Sequence, residues 1–361
     1  MISNQDSSFM QMAIEEGEKG RCNAPPNPWV GAIIVKNNEI IGRGYSAPAG
    51  GEHAEVRALQ EAGDLAKGST LYTTLEPCCH QGRTGPCTQA LINKGVSRIV
   101  VALEDPDSRV AGKGIKELRA AGLDVDCSVS SSEAKQSLKA YLHHRRTGTP
   151  YTVLKAAISI DGRIAAEDGS SQWISGPEAR RDSHKLRAES QAVIVGVDTA
   201  ICDSPRLTVR DHTPLPLKQP LRVILDRTGR LPLNSPLLNT QEAPTLIFTS
   251  DLCPNSKKET WKKHGVEVCS LPELTASDVL QELGNRGILQ VLVEGGTKIH
   301  HSFSPLAQEL CVYIGPRIIG NSGIPFISSD LGSSIKNAAI LEIIDCQQLG
   351  NSVRLKYFFK K

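Results

Sequence analysis

His53-Ala54-Glu55 and, further along, Pro77-Cys78-Cys79-His80-Gln81-Gly82-Arg83-Thr84-Gly85-Pro86-Cys87 decide how the first part of this chain is read. His53, Cys78 and Cys87 supply three soft or borderline donors, enough for three corners of a zinc tetrahedron with the fourth left open to water. An open corner points to catalysis and not to scaffolding. Zinc lowers the pKa of such a water toward neutrality, and a nearby carboxylate can then carry its proton to a leaving amine. Glu55 is expected in that role. His-x-Glu followed by Pro-Cys is the pattern of zinc deaminases, in which the glutamate moves protons and is not a ligand. That pattern usually closes as Pro-Cys-x-x-Cys, whereas here Gln81 stands where the second cysteine belongs and the next one is Cys87. Cys79 directly follows Cys78, so their side chains are expected to point apart, and His80 is a spare donor. Gly82, Gly85 and Pro86 favour a loop that returns Cys87 to the metal at a helix start.

Working outward, Ser8 to Lys19 reads as a helix ended by Gly20, and Trp29–Lys36 with Glu39–Gly44 as a strand pair around an Asn37-Asn38 turn. Val56, Leu59 and Ala62 place His53 and Glu55 in the first turn of a helix. Ser69–Leu75 is a strand that delivers Cys78, and Pro86–Lys94 is the next helix. Strand Ser97–Leu103, helix Ile115–Ala121 and strand Leu123–Val129 continue an α/β alternation. A helix from Ser131 to His144 then runs into the basic, turn-forming Arg145–Pro150, which sets domains of 1–147 and 148–361. The second begins with strand Tyr151–Ser159 and helix Pro177–Ala188. Strands Ala192–Val197, Leu221–Leu225 and Thr245–Thr249, helix Ser277–Leu283 and strand Leu289–Val293 follow. With Leu310–Ile314 and Val353–Phe358 they predict a mainly parallel sheet with a late antiparallel pair.

The whole chain is consistent with an enzyme of small polar substrates. At 361 residues it exceeds one ordinary core. Its 41 Lys and Arg against 39 Asp and Glu give no global reason to expect nucleic acid. No run is long and apolar enough for a membrane span, and Met1–Glu15 lacks the make-up of a secretory signal, so a cytoplasmic protein is expected. Ten cysteines, scattered except for the cluster, argue against a disulfide framework. Small α/β domains with exposed sheet faces lead us to expect a homo-oligomer.

Pro26-Asn27-Pro28-Trp29-Val30-Gly31-Ala32, His53-Ala54-Glu55 and Thr74-Leu75-Glu76-Pro77-Cys78, with a cysteine nine residues on, resemble the deaminase half of the bifunctional riboflavin-biosynthesis deaminase/reductase family. The long Cys-to-Cys spacing is that family's own. The resemblance implies a cytidine-deaminase-like three-layer α/β domain, zinc on His53, Cys78 and Cys87, Glu55 as the catalytic proton shuttle, and Asn27 lining the substrate pocket. The second half lacks a Gly-x-Gly-x-x-Gly turn but carries Val293-Glu294-Gly295-Gly296-Thr297, where a strand meets a helix start suited to an anion. With Lys155, Asp161-Gly162-Arg163, Ser171-Gln172-Trp173-Ile174, Val195-Gly196-Val197-Asp198-Thr199 and Asp203–Arg210, it is similar to the reductase half of the same family, a dihydrofolate-reductase-like domain using NADPH. By that resemblance Ala157, Trp173, Thr199, Asp203, Gly296, Thr297, Lys298, Ile299, His300, His301 and Ser302 contact the cofactor. Lys155, Ser171, Arg187, Leu207, Arg210 and Glu294 hold the substrate, a phosphorylated pyrimidine. Arg187 and Arg210 suit its phosphate, Lys155 the opened ribose, and Arg227 is expected at the NADPH 2′-phosphate. Two rivals stand against this reading. A nucleoside or tRNA deaminase with an accessory domain predicts a Pro-Cys-x-x-Cys site and a basic face. A structural zinc module on a cofactor-binding regulator predicts that Glu55 is dispensable.

Overall fold

The computed structural model describes residues 4–81, 85–327 and 334–360. The chain divides into two compact units, Met1–Gly148 and Thr149–Lys361.

In the first unit, strands β1 (Gly31–Lys36), β2 (Glu39–Tyr45), β3 (Thr70–Thr73), β4 (Arg98–Val101) and β5 (Asp124–Cys127) form one sheet in the order β2-β1-β3-β4-β5. β1 runs antiparallel to both β2 and β3, while β3, β4 and β5 are parallel. Asn37 and Asn38 both take positive φ, 50° and 68°, the left-handed pair that a two-residue hairpin turn requires. Helices α1 (Asn4–Glu18), α2 (Ala54–Ala62), α3 (Cys87–Asn93), α4 (Lys113–Ala120), α5 (Ser131–Ser137) and α6 (Lys139–Thr147) complete the unit. α1 lies on β1, and α2 on β2.

Both helices sit unusually close because glycines face them. A Cβ on Gly31 would lie 1.8 Å from the Ala13 carbonyl oxygen in α1, and one on Gly44 2.1 Å from that of Ala54 in α2. Gly44 pairs with Ala32 and not with Gly31; alternate residues point to opposite faces, so α1 and α2 cover opposite sides of the sheet. Gly44→Ala is expected to push α2 outward and to lower the stability of this unit by roughly 1–3 kcal/mol, the usual effect of overpacking. Urea unfolding reads the loss, and an unchanged midpoint would show that α2 can shift freely.

The single helix expected over Ser131–His144 is two. It breaks at Leu138 (φ −88°, ψ 13°), and the second helix continues through the basic Arg145 and Arg146 to Thr147 before Gly148 caps it in the left-handed conformation.

The second unit carries a nine-stranded sheet made of β6 (Tyr151–Ile158), β8 (Ala192–Gly196), β9 (Leu221–Leu225), β10 (Thr245–Thr249), β11 (Glu267–Ser270), β12 (Gln290–Gly295), β13 (Glu309–Ile314), β15 (Leu341–Leu349) and β16 (Ser352–Phe359). β7 (Arg163–Ala165) and β14 (Ile324–Pro325) pair separately. Sheet order is β11-β10-β9-β8-β12-β6-β13-β16-β15, parallel as far as β13 and antiparallel from there. Its central strands β8, β12 and β6 are largely apolar, as a sheet covered on both faces demands, with Lys155 and Glu294 as the charged exceptions. Val193, Ile194, Val291, Leu292 and Val293 are fully buried. α7 (Pro177–Ala188), α8 (Val197–Cys202), α9 (Asn255–Lys263), α10 (Ala276–Asn285) and α11 (Thr297–Phe303) provide the cover. Among the described residues no helix is long and apolar enough to cross a membrane.

Candidate active sites

In the first unit two of the three expected donors stand at helix starts. His53 is the extended N-cap residue of α2, and Cys87 opens α3 directly after Pro86, where proline's fixed φ suits the entry to a helix. Cys78 comes from the loop after β3. Its sulfur accepts the Cys87 main-chain N–H at 3.4 Å, and its carbonyl accepts that of Thr88, so the start of α3 is moored to the cysteine it must meet.

The donor atoms of His53, Cys78 and Cys87 all lie within 4.8 Å of one another. His53 Nδ1 is 3.2 Å from Cys87 Sγ and 3.5 Å from Cys78 Sγ. Zn–N and Zn–S bonds of ordinary length at a tetrahedral angle place N and S about 3.6 Å apart, so these residues fit zinc. The side chains also polarise one another. The Cys78 thiol is held below its usual range, first by the hydrogen bond from Cys87 and then by His53, which favours the thiolate that a metal needs. Hydrogen bonding to Cys78 pushes His53 up to about 9. Cys79 turns away toward the Arg109 carbonyl, and neither it nor His80 joins the donor group. Part of the Cys78–Cys87 loop, residues 82–84, lies outside the described residues.

Glu55, in the first turn of α2, is buried with Oε2 3.5 Å from Cys87 Sγ. Burial pushes its carboxyl above the ordinary carboxylate range, so the group can hold a proton as well as release one. Asn27 stands half-buried in the loop before β1, its main-chain N–H on the Ala24 carbonyl. Sequence reading gave no role to Glu76. Its buried carboxylate accepts the main-chain N–H groups of Asp105, Gly112 and Ile115 at 3.2, 2.9 and 3.0 Å, which ties the 105–115 segment to the strand end that delivers Cys78. A glutamate set among apolar residues and followed by Pro-Cys was the available clue.

The second unit holds a cavity of about 890 Å³ at the C-terminal ends of β6, β8 and β12, where open parallel sheets bind ligands. Lys155, Ala157, Ser171, Trp173, Arg187, Thr199, Asp203, Leu207, Arg210, Glu294, Gly296 and His300 all line it. The side chains of Thr297, Lys298, Ile299, His301 and Ser302 are not part of this wall, while Gly296 and His300, four residues apart, face the cavity. Lys298 is exposed, Thr297 Oγ1 bonds the Pro325 carbonyl, Ile299 packs on Gly196, Ser302 bonds back to Lys298, and His301 stays outside the wall. Arg227 is not part of the wall either. The starts of α8 and α11 meet at the rim, joined by the Gly296 N–H bond to Thr199 Oγ1 at 2.7 Å. Such a pair of helix starts suits the diphosphate of a dinucleotide, so this wall fits a nicotinamide cofactor.

The cavity's charges are largely committed to one another. Arg187 grips Glu294 through Nε and Nη2 at 2.5 and 2.8 Å. This pairing, which the sequence pattern does not show, has a plain cause: both groups are buried and neither tolerates being left alone. Burial would push Glu294 up, but Arg187 and then Lys155 overcome it and hold the carboxyl at about 2. Lys155 also stands 5.9 Å over the Tyr313 ring. Ser171 donates to Asp203 at 2.9 Å, and Arg180 stacks 4.4 Å over the exposed Trp173 ring.

A sheet with a His/Cys/Cys triangle and a buried glutamate, followed by a cofactor-type crevice on a largely parallel sheet, defines a zinc deaminase joined to a reductase. Comparison with known proteins agrees. Residues 3–103 match the cytidine and deoxycytidylate deaminase zinc-binding region, and residues 150–355 the RibD C-terminal domain. Riboflavin biosynthesis protein RibD of Chlamydia trachomatis is 45% identical over 359 residues, 98% of this chain and 96% of the relative. That of Aquifex aeolicus is 42% identical with 100% of both covered. The structure of RibD from Acinetobacter baumannii superposes with a TM-score of 0.92 at 38% identity, over 99% of each chain. That of a diaminohydroxyphosphoribosylaminopyrimidine deaminase/5-amino-6-(5-phosphoribosylamino)uracil reductase from Thermotoga maritima does so with 0.88 at 32%, again over 99% of each. The chain belongs to the RibD family: it is a bifunctional deaminase and reductase of riboflavin biosynthesis that uses zinc and NADPH.

Proposed function

We propose that the first unit hydrolyses the 2-amino group of 2,5-diamino-6-ribosylamino-4(3H)-pyrimidinone 5′-phosphate, and that the second reduces the ribosyl group of the resulting uracil to ribityl. The observation that carries this reading is the convergence of the His53, Cys78 and Cys87 donors with Glu55 beside them. Bound zinc supplies the Lewis acidity that makes water nucleophilic near neutral pH. Glu55 takes the proton that water loses on adding to the ring carbon and returns it to the amine, which leaves as ammonia. Asn27 lines the substrate pocket.

In the second unit NADPH, when bound in this cavity, would supply hydride chemistry at C1′ of the opened sugar, with the accompanying proton drawn from solvent. Ala157, Trp173, Thr199, Asp203, Gly296 and His300 contact the cofactor. Ser171 and Leu207 flank the substrate, Lys155 hydrogen-bonds the opened ribose beside the ionised Glu294, and Arg210 takes the phosphate. Arg187 acts through Glu294. Positioning accounts for much of the rate. The near balance of charge favours a small substrate over nucleic acid. Ten free cysteines fit a reducing cytoplasm, and exposed sheet surface on β15 fits a homo-oligomer.

The test follows zinc per chain, ammonia release and NADPH oxidation in one assay. Zinc near one per chain is expected, with NADPH consumed only after ammonia appears. Cys87→Ser is expected to lose most of the zinc and all measurable deamination, yet to oxidise NADPH normally when given the deaminated substrate. Zinc bound without ammonia release would overturn the assignment.

A further inference from the structure

Among the ionisable side chains of the reductase cavity that have no part in the roles above, His184 is the one histidine. His184 lies on α7 four residues after Arg180 and three before Arg187, the spacing that puts all three on one helix face, and all three line the cavity. Its Nδ1 accepts the main-chain N–H of Arg210 at 3.3 Å. One turn on, Arg187 Nη1 donates to the Thr208 carbonyl at 3.2 Å, while Gln219 bonds both main-chain groups of Val209 at 2.7 and 3.0 Å. Residues 208–210 are thus clamped by three side chains, two of them from α7. Leu207, just before, is held at φ 54°, a conformation that leucine keeps only where its surroundings impose it.

A ring nitrogen that accepts from a main-chain amide carries no proton, so the proton of the neutral imidazole sits on Nε2. Burial first, then Arg187 and Arg210, push this histidine down to about 4, which keeps it neutral. No hydrogen bond engages Nε2 among the described residues. The other cations of the wall are largely occupied: Arg187 by Glu294, Arg180 by Trp173 and the Ser175 carbonyl, Arg206 by Glu242. Arg210 spends one nitrogen on Thr208 Oγ1.

We propose that His184 is a substrate-binding residue of the reductase, donating Nε2–H to a phosphate oxygen of the sugar phosphate at Arg210 while its Nδ1 fixes the main chain of that arginine. A neutral donor suits the place, because it adds a hydrogen bond without adding charge to a wall that already holds Arg187, Arg206 and Arg210. The inference rests on the reading that Arg210 takes the phosphate.

Two substitutions separate the ring's nitrogens. His184→Asn keeps an acceptor near the Nδ1 position but reaches no further, whereas His184→Gln extends an amide N–H toward the Nε2 position. In the full chain, with the deaminated substrate supplied, His184→Asn is expected to raise KM about tenfold with kcat little changed. Inhibition by ribose 5-phosphate weakens in parallel, inhibition by ribose does not, and His184→Gln restores most of the loss. Arg210→Gln separates the two levels of the reading. If it weakens ribose 5-phosphate and His184→Asn does not, the role of His184 is overturned and the phosphate reading stands; if neither does, both fall. Should the variants fold poorly, histidine 15N spectra of the unmodified chain decide: an Nε2–H tautomer whose signal shifts with ribose 5-phosphate is expected, and an Nδ1–H tautomer overturns the proposal.

Discussion

Glu55→Gln is expected to slow ammonia release by about 10²–10⁴-fold, the range of a lost general acid–base group, while zinc content and NADPH oxidation on the deaminated substrate stay unchanged. The replacement keeps the shape of the side chain and removes none of the converging donors, which are His53, Cys78 and Cys87. What it removes is a carboxyl that burial has made easier to protonate, and an amide cannot accept water's proton and pass it on. Ammonia release and bound zinc measured on the same sample separate the causes. If zinc departs with activity, Glu55 supports the metal and the shuttle role fails.

The second large effect is on stability. Arg187→Leu strands Glu294 in the interior, and removing one partner of a buried ion pair typically costs about 3–5 kcal/mol. Side-chain exposures of 12% and 9% put this pair in that class and not among surface pairs. Its pH dependence has a definite sign. Glu294 is held at about 2 in the folded chain, below its ordinary 4.5. The stabilisation is therefore fully present above the unfolded value and is lost as pH falls toward about 2. In the variant the carboxyl has lost its guanidinium and is easier to protonate, so the gap in urea midpoint between the two chains should narrow as the medium is acidified. A gap that widens in acid would mean that Arg187 stabilises the fold by some route other than Glu294.

The sequence was most informative where chemistry is carried by residue type. His53, Cys78 and Cys87 are separated by up to 34 positions, yet their identities name one another because few other functions need that set. Asn37-Asn38 was readable for a similar reason, since a tight hairpin tolerates few residues with two left-handed conformations. What depends on tertiary partners was not readable. Arg187 and Glu294 stand 107 positions apart, and no local pattern shows that an arginine expected at a phosphate also neutralises a buried carboxylate. The break at Leu138 follows a helical pattern that never falters in composition. β15 escaped because most of its residues are exposed, so it lacks the apolar alternation of a half-buried strand.

The placing of two metal donors at the first positions of α2 and α3 has a consequence for assembly. Neither donor is positioned by its own segment alone, and the three converge only once α2 has docked on β2 and α3 has packed against α2. Metal affinity is therefore conditional on tertiary order, and by linkage the free zinc concentration sets how firmly that order is held, by about 1.4 kcal/mol for each tenfold rise above the dissociation constant. The cation is as much a thermodynamic fastener for the first unit as a reagent within it.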